Sequence, residues 1–348
     1  MGQFEFAEVE KRYTWKFPRD HGQHPAYQTE WWYFTGNLKT ENDRRFGYEL
    51  TFFRQALAPA ILPRASAWAF RDVYIAHFSI TDIERQRFYY DQKMKRGALQ
   101  LANADSTLLR VDLGDWFARQ ENFAKNGNSA GAGNFHLHAA SAFGQIDLVL
   151  QSTKPVVFHG DHGLLRNSDL RRDAAYYHSL TSLKTKGILA IEGEPLRVEG
   201  WSWMDHEFFT PIANPAMAGW DWLSLHLSDS TEIMLAHLRL ADGSISSYSV
   251  GTVIYADGVS QHLSMRDFAF TPQSWWTSPL SGGKYPVEWK VKFLDYDLQL
   301  STPVKNQELD TRPTTGRIYW EGCVEVVGEK SERKIKGEGY LEMTGYAK

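Results

Sequence analysis

Cysteine is nearly absent: Cys323 is alone among 348 residues, so no disulfide forms within the chain, and nothing ties the protein to an oxidising or a reducing compartment. Basic runs are missing too. The 38 Lys and Arg stand against 42 Asp and Glu for a net charge of −4, with no positive block longer than a few residues, which excludes the electrostatic footprint of a nucleic-acid binder. No apolar run reaches the about 20 residues of a transmembrane helix. The opening Met1-Gly2-Gln3-Phe4 carries neither the basic nor the apolar region of a secretory signal, which leaves a cytosolic start or a replaced signal peptide open. Phe6 stands where N-myristoylation needs Ser or Thr. The common hydrolase signatures are lacking as well: there is no Gly-x-Ser-x-Gly elbow, no His-Glu-x-x-His and no Cys–His pair.

Aromatic residues, by contrast, are abundant: 13 Trp, 16 Tyr and 20 Phe exceed what core filling requires. Strands favour such side chains, and so do pockets for large apolar ligands. The length points to roughly two domains. Helical periodicity is almost nowhere. Short strands are predicted at 29–38, 46–54, 72–82, 87–92, 107–111, 135–140, 145–150, 174–183, 187–192 and 196–208, and after a proline-broken linker at 210–218 the rhythm restarts at 219–227, 232–239, 247–255, 258–270, 287–293, 317–327 and 334–343. Trp275-Trp276 and Tyr285-Pro286 read as loops. The glycine-rich 126–133 has no following Lys-Ser/Thr and reads as a hairpin loop rather than a phosphate cradle. A Trp-bearing strand, a polar turn and an apolar strand ending in Arg occur at 29–54 and again at 219–239, the plan of two β-domains of similar construction.

The densest chemistry lies in Gly200-Trp201-Ser202-Trp203-Met204-Asp205-His206-Glu207-Phe208. In an extended strand Trp201, Trp203, Asp205 and Glu207 face one way and Ser202, Met204 and His206 the other. A carboxyl beside indoles loses hydration, and a second carboxyl adds repulsion; both raise its pKa, which is how a general acid is made near neutral pH. Against that stands a strand end whose carboxylates are simply paired, as buried charges must be. Arg54 ends an aromatic strand face, and its plain reading is a cover for a tryptophan. His159 and His162 have ligand-like spacing in a glycine-rich turn without a third ligand, and His136 and His138 share a strand face on the same terms, so no residue is assigned to a metal and no cofactor is expected.

His24-Pro25-Ala26-Tyr27-Gln28-Thr29-Glu30-Trp31-Trp32-Tyr33-Phe34-Thr35-Gly36-Asn37-Leu38, then 46–54, Ala76-His77-Phe78, Trp203-Met204-Asp205-His206-Glu207, Tyr319-Trp320-Glu321-Gly322 and 339–346 together resemble the AttH family of predicted secreted hydrolases over nearly the whole chain. That family is similar to the carotenoid 1,2-hydratases and, more distantly, to natural-product Diels–Alderases. The resemblance implies an all-β protein of two consecutive lipocalin-like (calycin) antiparallel barrels, here an N-terminal extension 1–28, one domain at 29–210 and one at 211–348. It implies a ligand site between or inside the barrels and a secreted or periplasmic location, with a cytoplasmic one not excluded. In the hydratases an aromatic residue stands two positions before a catalytic Asp, and Trp203-x-Asp205 resembles that pair, with Trp in place of the expected Tyr and with His206-Glu207 departing from the pattern.

The expectation is therefore acid/base hydration of a large lipid- or isoprenoid-like ligand at the domain seam. Asp205, His206 and Glu207 are the catalytic candidates, Trp201, Trp203, Trp32, Tyr177 and His178 line the ligand, and His24, Glu30, Arg54 and His77 form a supporting polar network. A non-catalytic lipid carrier is the alternative reading; pericyclase-like or metal-dependent hydrolase activity comes after it. The partner is an apolar small molecule, with peripheral membrane association left open.

Overall fold

The computed structural model describes residues 5–60, 66–123 and 133–347. Its regular structure is almost all antiparallel strand. The first sheet holds β1 (Thr29–Lys39), β2 (Arg45–Ala56), β3 (Asp72–Asp82), β4 (Arg87–Arg96), β5 (Ala102–Ala104), β6 (Arg110–Leu113), β7 (Trp116–Phe123), β8 (Gly133–Ala140), β9 (Gly144–Ser152), the short β10 (Val157–Phe158) and β11 (Leu164–Arg166), and the long β12 (Ala174–Ile191) and β13 (Glu194–Phe209). The second holds β14 (Met217–Leu227), β15 (Glu232–Leu240), β16 (Val250–Ile254), β17 (Ser260–Ser264), β18 (Phe268–Thr277), β19 (Lys284–Phe293), β20 (Tyr296–Ser301), β21 (Glu308–Asp310), β22 (Ile318–Lys330) and β23 (Arg333–Thr344).

Both sheets curl into barrels. The first runs β4-β3-β2-β1-β13-β12-β9-β8-β7-β6-β5, yet its two edge strands are joined by residues 97–101 alone. The second runs β17-β16-β15-β14-β23-β22-β20-β19-β18, with edges joined by residues 265–267. So short a tether cannot reach across a flat sheet of this width, where strands lie about 4.8 Å apart. The sheets share one plan: four strands step outward and the last strand returns beside the first, so β1 and β14 hold equivalent places.

The strand period sorts side chains into a barrel interior and an outer face. Along β1, Trp32, Phe34 and Leu38 enter the first barrel's core with Tyr48, Leu50, Phe52, Phe78 and Met204. Tyr33 points the other way and joins Tyr177, Trp203, Trp222, Met234, Ile254, Cys323 and Tyr340 in a cluster drawn from both barrels. The facing strands are therefore buried on both sides, and β1, β2 and β3 read as nearly unbroken buried runs. β8 faces solvent on one side and alternates instead: Phe135, Leu137 and Ala139 are buried, and His136 and His138 are half-exposed beside Asp147. The N-terminal segment lies over one mouth of the first barrel, where Val9, Tyr13, Trp15 and Tyr27 pack against Leu164, Tyr176 and Phe208.

Several sequence expectations change. The strands predicted at 174–183 and 187–192 are one strand, β12, which bulges between Leu180 and Leu183, and Lys184-Thr185-Lys186 pairs in regular register with β13 and β9 where a turn was expected. The run 258–270 divides instead, at the Ser264–Asp267 turn where Asp267 Oδ2 accepts from the Ser264 amide and hydroxyl. Trp275-Trp276 lies in β18 and Tyr285-Pro286 in β19, paired with each other across the ladder. Most of the glycine-rich 126–133 falls outside the described residues.

Candidate functional site

β13 divides the predicted site in two, because adjacent side chains of a strand face opposite ways. His206 points into the mouth of the first barrel, whereas Asp205 and Glu207 point into the seam between barrels. No bulge in β13 rotates His206 toward Asp205, since its register with β1 runs unbroken from Thr29↔Phe209 to Lys39↔Glu199. Asp205 and Glu207 thus share one face and His206 lies on the other, as strand alternation implies, and the structure does not bring the three candidates Asp205, His206 and Glu207 together.

In the seam, Asp205 is 3% exposed. Its Oδ1 accepts the Trp203 indole N–H at 2.7 Å and the Ser179 hydroxyl. Tyr177 is a further hydrogen-bond partner of this carboxyl. Burial pushes the Asp205 carboxyl up to about 7, with Ser179, Trp203 and Tyr177 pulling partly back. Ser179 continues into a polar relay: its Oγ lies 2.7 Å from His159 Nε2, and His159 Nδ1 lies 2.9 Å from Thr252 Oγ1 on the second barrel. Burial pushes His159 down to about 3, so this ring is neutral, donating through one nitrogen and accepting through the other. His162 is exposed on the following turn and does not converge with His159.

Around Asp205 the seam gathers further acids. Glu207, across from Trp31 and Tyr177, is held well above the usual carboxylate range by burial, then by the charges of Asp205 and Glu342. Burial pushes Glu49 and Glu342 each up to about 7, and Glu321 well up with help from Glu342 and Glu49. Among the described residues none of these five carboxyls has an ion-pair partner; they take hydrogen bonds instead, from Tyr33 to Glu321 at 2.7 Å, Trp220 to Glu342 at 2.9 Å and Thr51 to Glu49 at 2.7 Å. Trp222 stands edge-on to both Tyr33 and Trp203 and donates to the Tyr177 hydroxyl at 3.1 Å. Such an acid-rich, aromatic interior keeps protons on carboxyls at neutral pH.

Of the predicted ligand-lining residues, Trp203 and Tyr177 meet Asp205, and Trp201 sits at the seam's rim, 38% exposed. Trp32 and His178 do not belong to this face. They line the barrel mouth, where Trp32 stacks on His206 and His178 contacts His21 at 3.1 Å. His77 lies in the seam, bound to the Tyr319 hydroxyl at 2.7 Å, and the structure gives it no contact with Asp205.

The supporting network His24, Glu30 and Arg54 assembles with His206 at the barrel mouth. Glu30 accepts from His24 Nδ1 at 2.8 Å, His206 Nε2 at 2.8 Å, Arg54 Nε at 3.0 Å and the His24 amide. Burial alone would raise Glu30; hydrogen bonds from His206 and His24 and the charges of His24 and Arg54 override it and hold the carboxyl far below its usual value. Glu30, His24 and His206 place their ligand atoms within 4.8 Å of one another, the one such metal-competent group among the described residues.

Glu49, Glu321, Glu342, Tyr33, Ser179 and Trp222 were not among the candidate site residues read from sequence, and His159 was weighed only as a metal ligand with His162. A local signal is present for the glutamates: each stands beside apolar or aromatic residues, as in Tyr48-Glu49-Leu50, Trp320-Glu321-Gly322 and Leu341-Glu342-Met343.

A family model described as AttH-like matches residues 8–346. No curated protein matches the chain. The crystal structure of an AttH protein from Nitrosomonas europaea superposes with a TM-score of 0.86 at 29% identity, covering 98% of this chain and 100% of that one. Kievitone hydratase from Nectria haematococca follows at 0.72 and 17%, covering 98% and 96%, and CghA with Sch210972 at 0.56 and 12%, covering 93% and 89%. The last two likenesses are of fold. Because the family match spans almost the entire chain, this protein belongs to the AttH-like family.

Proposed function

We propose that the protein is an enzyme that adds water to, or removes it from, a large apolar ligand bound in the seam, with Asp205 as general acid. The observation that carries this reading is a buried carboxyl pushed up to about 7, its Oδ1 fixed by Trp203 and Ser179, among further acids that have no cation to ionise them. The Asp205 carboxyl proton passes to an alkene carbon or a carbonyl-conjugated carbon. Positive charge then develops on the neighbouring carbon beside the indoles of Trp203 and Trp222, whose faces attract cations. A water oxygen bonds to that carbon, and its surplus proton returns to the Asp205 carboxylate. A fold shared with a hydratase supports the choice of reaction, and the aromatic seam supports an apolar ligand.

The test is turnover on a panel of apolar alkenes, enones and esters in ¹⁸O-labelled water. Hydration places the label in the product, whereas a cyclisation of the ligand leaves it out. Asp205→Asn keeps shape and polarity but delivers no proton, so turnover falls by about 10²–10⁴-fold while ligand affinity stays close to wild type. Undiminished turnover in this variant on a substrate that the wild type converts sinks the assignment. A ligand that binds and is never converted makes the protein a carrier.

A further inference from the structure

We infer that His24, Glu30 and His206 form a site for a divalent first-row transition-metal ion, which fastens the N-terminal segment to the mouth of the first barrel. The inference rests on counting protons. All four ring nitrogens of the two histidines face oxygen acceptors: His24 Nδ1 and His206 Nε2 each lie 2.8 Å from Glu30 Oε1, His24 Nε2 lies 3.4 Å from Asp20 Oδ1, and His206 Nδ1 lies 3.1 Å from the Asp20 carbonyl. A neutral imidazole carries one N–H, so two neutral rings supply only half of what these four contacts need. Either both rings hold an extra proton inside a site where Glu30 and His206 are fully buried, or one divalent ion takes the place of the two protons nearest Glu30.

The second solution leaves nothing unmatched. His24 Nδ1 and His206 Nε2 become metal ligands, and their outer nitrogens donate to the carboxylate and the carbonyl of Asp20. This is the outer-shell arrangement that fixes ring orientation in histidine metal sites. One divalent ion also carries the charge of the two protons it replaces, so the cluster with Arg54, Asp20 and Asp72 keeps its balance. Two ligands each about 2.1 Å from an ion stand about 3.0 Å apart at a right angle and about 3.4 Å apart in a tetrahedron. The two 2.8 Å spacings to Glu30 lie nearer the right-angle value, and all three ligand atoms lie within 4.8 Å of one another. The ligands come from three places: His24 from the N-terminal segment, Glu30 from β1 and His206 from β13.

The full chain is stripped with chelator, then titrated separately with Co²⁺, Mn²⁺ and Zn²⁺, reading bound metal per chain, the visible absorption of Co²⁺ and the melting temperature. One equivalent of Co²⁺ binds with a d–d absorption band, and the melting temperature rises by several degrees in excess metal, as binding to the folded state alone requires. His206→Gln and the less buried His24→Gln abolish the stoichiometric binding. Asp205→Asn, on the other face of the sheet, keeps it, which separates this site from the proposed acid. Failure of all three ions to bind stoichiometrically to the wild-type chain overturns the inference whether or not the variants fold, and so does undiminished binding in His206→Gln.

Discussion

At the scale of single residues, the seam acids set the pH response. Asp205, Glu49 and Glu342 titrate near 7 when folded and near 4 when unfolded. Between those values the folded chain holds more protons, so their contribution to stability is complete below about pH 4 and is lost as the pH rises to about 7. Glu30 runs the opposite way: its folded pKa is depressed, so what it contributes is present above about pH 4 and lost in strong acid. The melting temperature should accordingly be higher at pH 5 than at pH 8, and Asp205→Asn, which has no proton to lose, should flatten that slope. A wild-type profile that rises from pH 5 to pH 8 would show these carboxyls to be ionised in the folded protein.

At the scale of elements, the pairing of β1 with β2 and β13 explains why a buried ion pair is tolerated at the barrel mouth. Glu30 lies directly across from Arg54, whose guanidinium also donates to Asp72 at 2.9 Å and to the carbonyls of His24 and Tyr27. Arg54 thus ties β1, β2 and β3 to the N-terminal segment and does not merely cover a tryptophan. Arg54→Met strands Glu30 and Asp72 and should cost about 3–5 kcal/mol in chemical denaturation, with residues 5–28 becoming open to proteolysis first. Gly47 sits where β2 meets the second barrel, and a Cβ there would come within 2.9 Å of Cys323 Cβ. Gly47→Val should therefore cost about 1–3 kcal/mol by prising the seam, measured as a lower midpoint with an unchanged m-value. The same substitution at Gly193, whose Cβ would meet nothing, carries a different penalty because φ is +85° there and the strain is in the backbone.

At the scale of the whole molecule, the contacts between the two barrels predict that they stay together as one unit. Apolar contacts from both fill the seam, and hydrogen bonds cross it at Tyr33–Glu321, Asn37 to the Gly339 carbonyl, Thr81–Gln307, His159–Thr252 and Trp222–Tyr177. Lys154 adds an ion pair to Glu232 at 2.6 Å while bonding the carbonyls of Ser230 and Tyr255. An engineered protease site in the connection at 212–214 should consequently leave both fragments co-eluting at the size of the intact chain. Fragments that separate on a sizing column without denaturant would show the seam to be a loose contact.

The sequence by itself determined the elements and their repetition. Aromatic and β-branched residues concentrated in 29–38, 46–54 and 72–82, and polar turns such as Glu41-Asn42-Asp43, are local properties that a strand and a turn need wherever they stand, and β1, β2 and β3 form there. It also determined that Asp205 and Glu207 share a face with Trp203 and that His206 does not, because alternation is a property of the strand alone. Which face meets what was decided only by the tertiary structure. His24 and Glu30 lie far along the chain from His206 and join it because β1 pairs with β13, a choice set by how the last strand of each barrel returns beside the first. Glu321 and Glu342 become acids of the Asp205 seam only when the second barrel docks on the first. Their pKa values follow from desolvation by residues hundreds of positions away, and no local pattern carries that information.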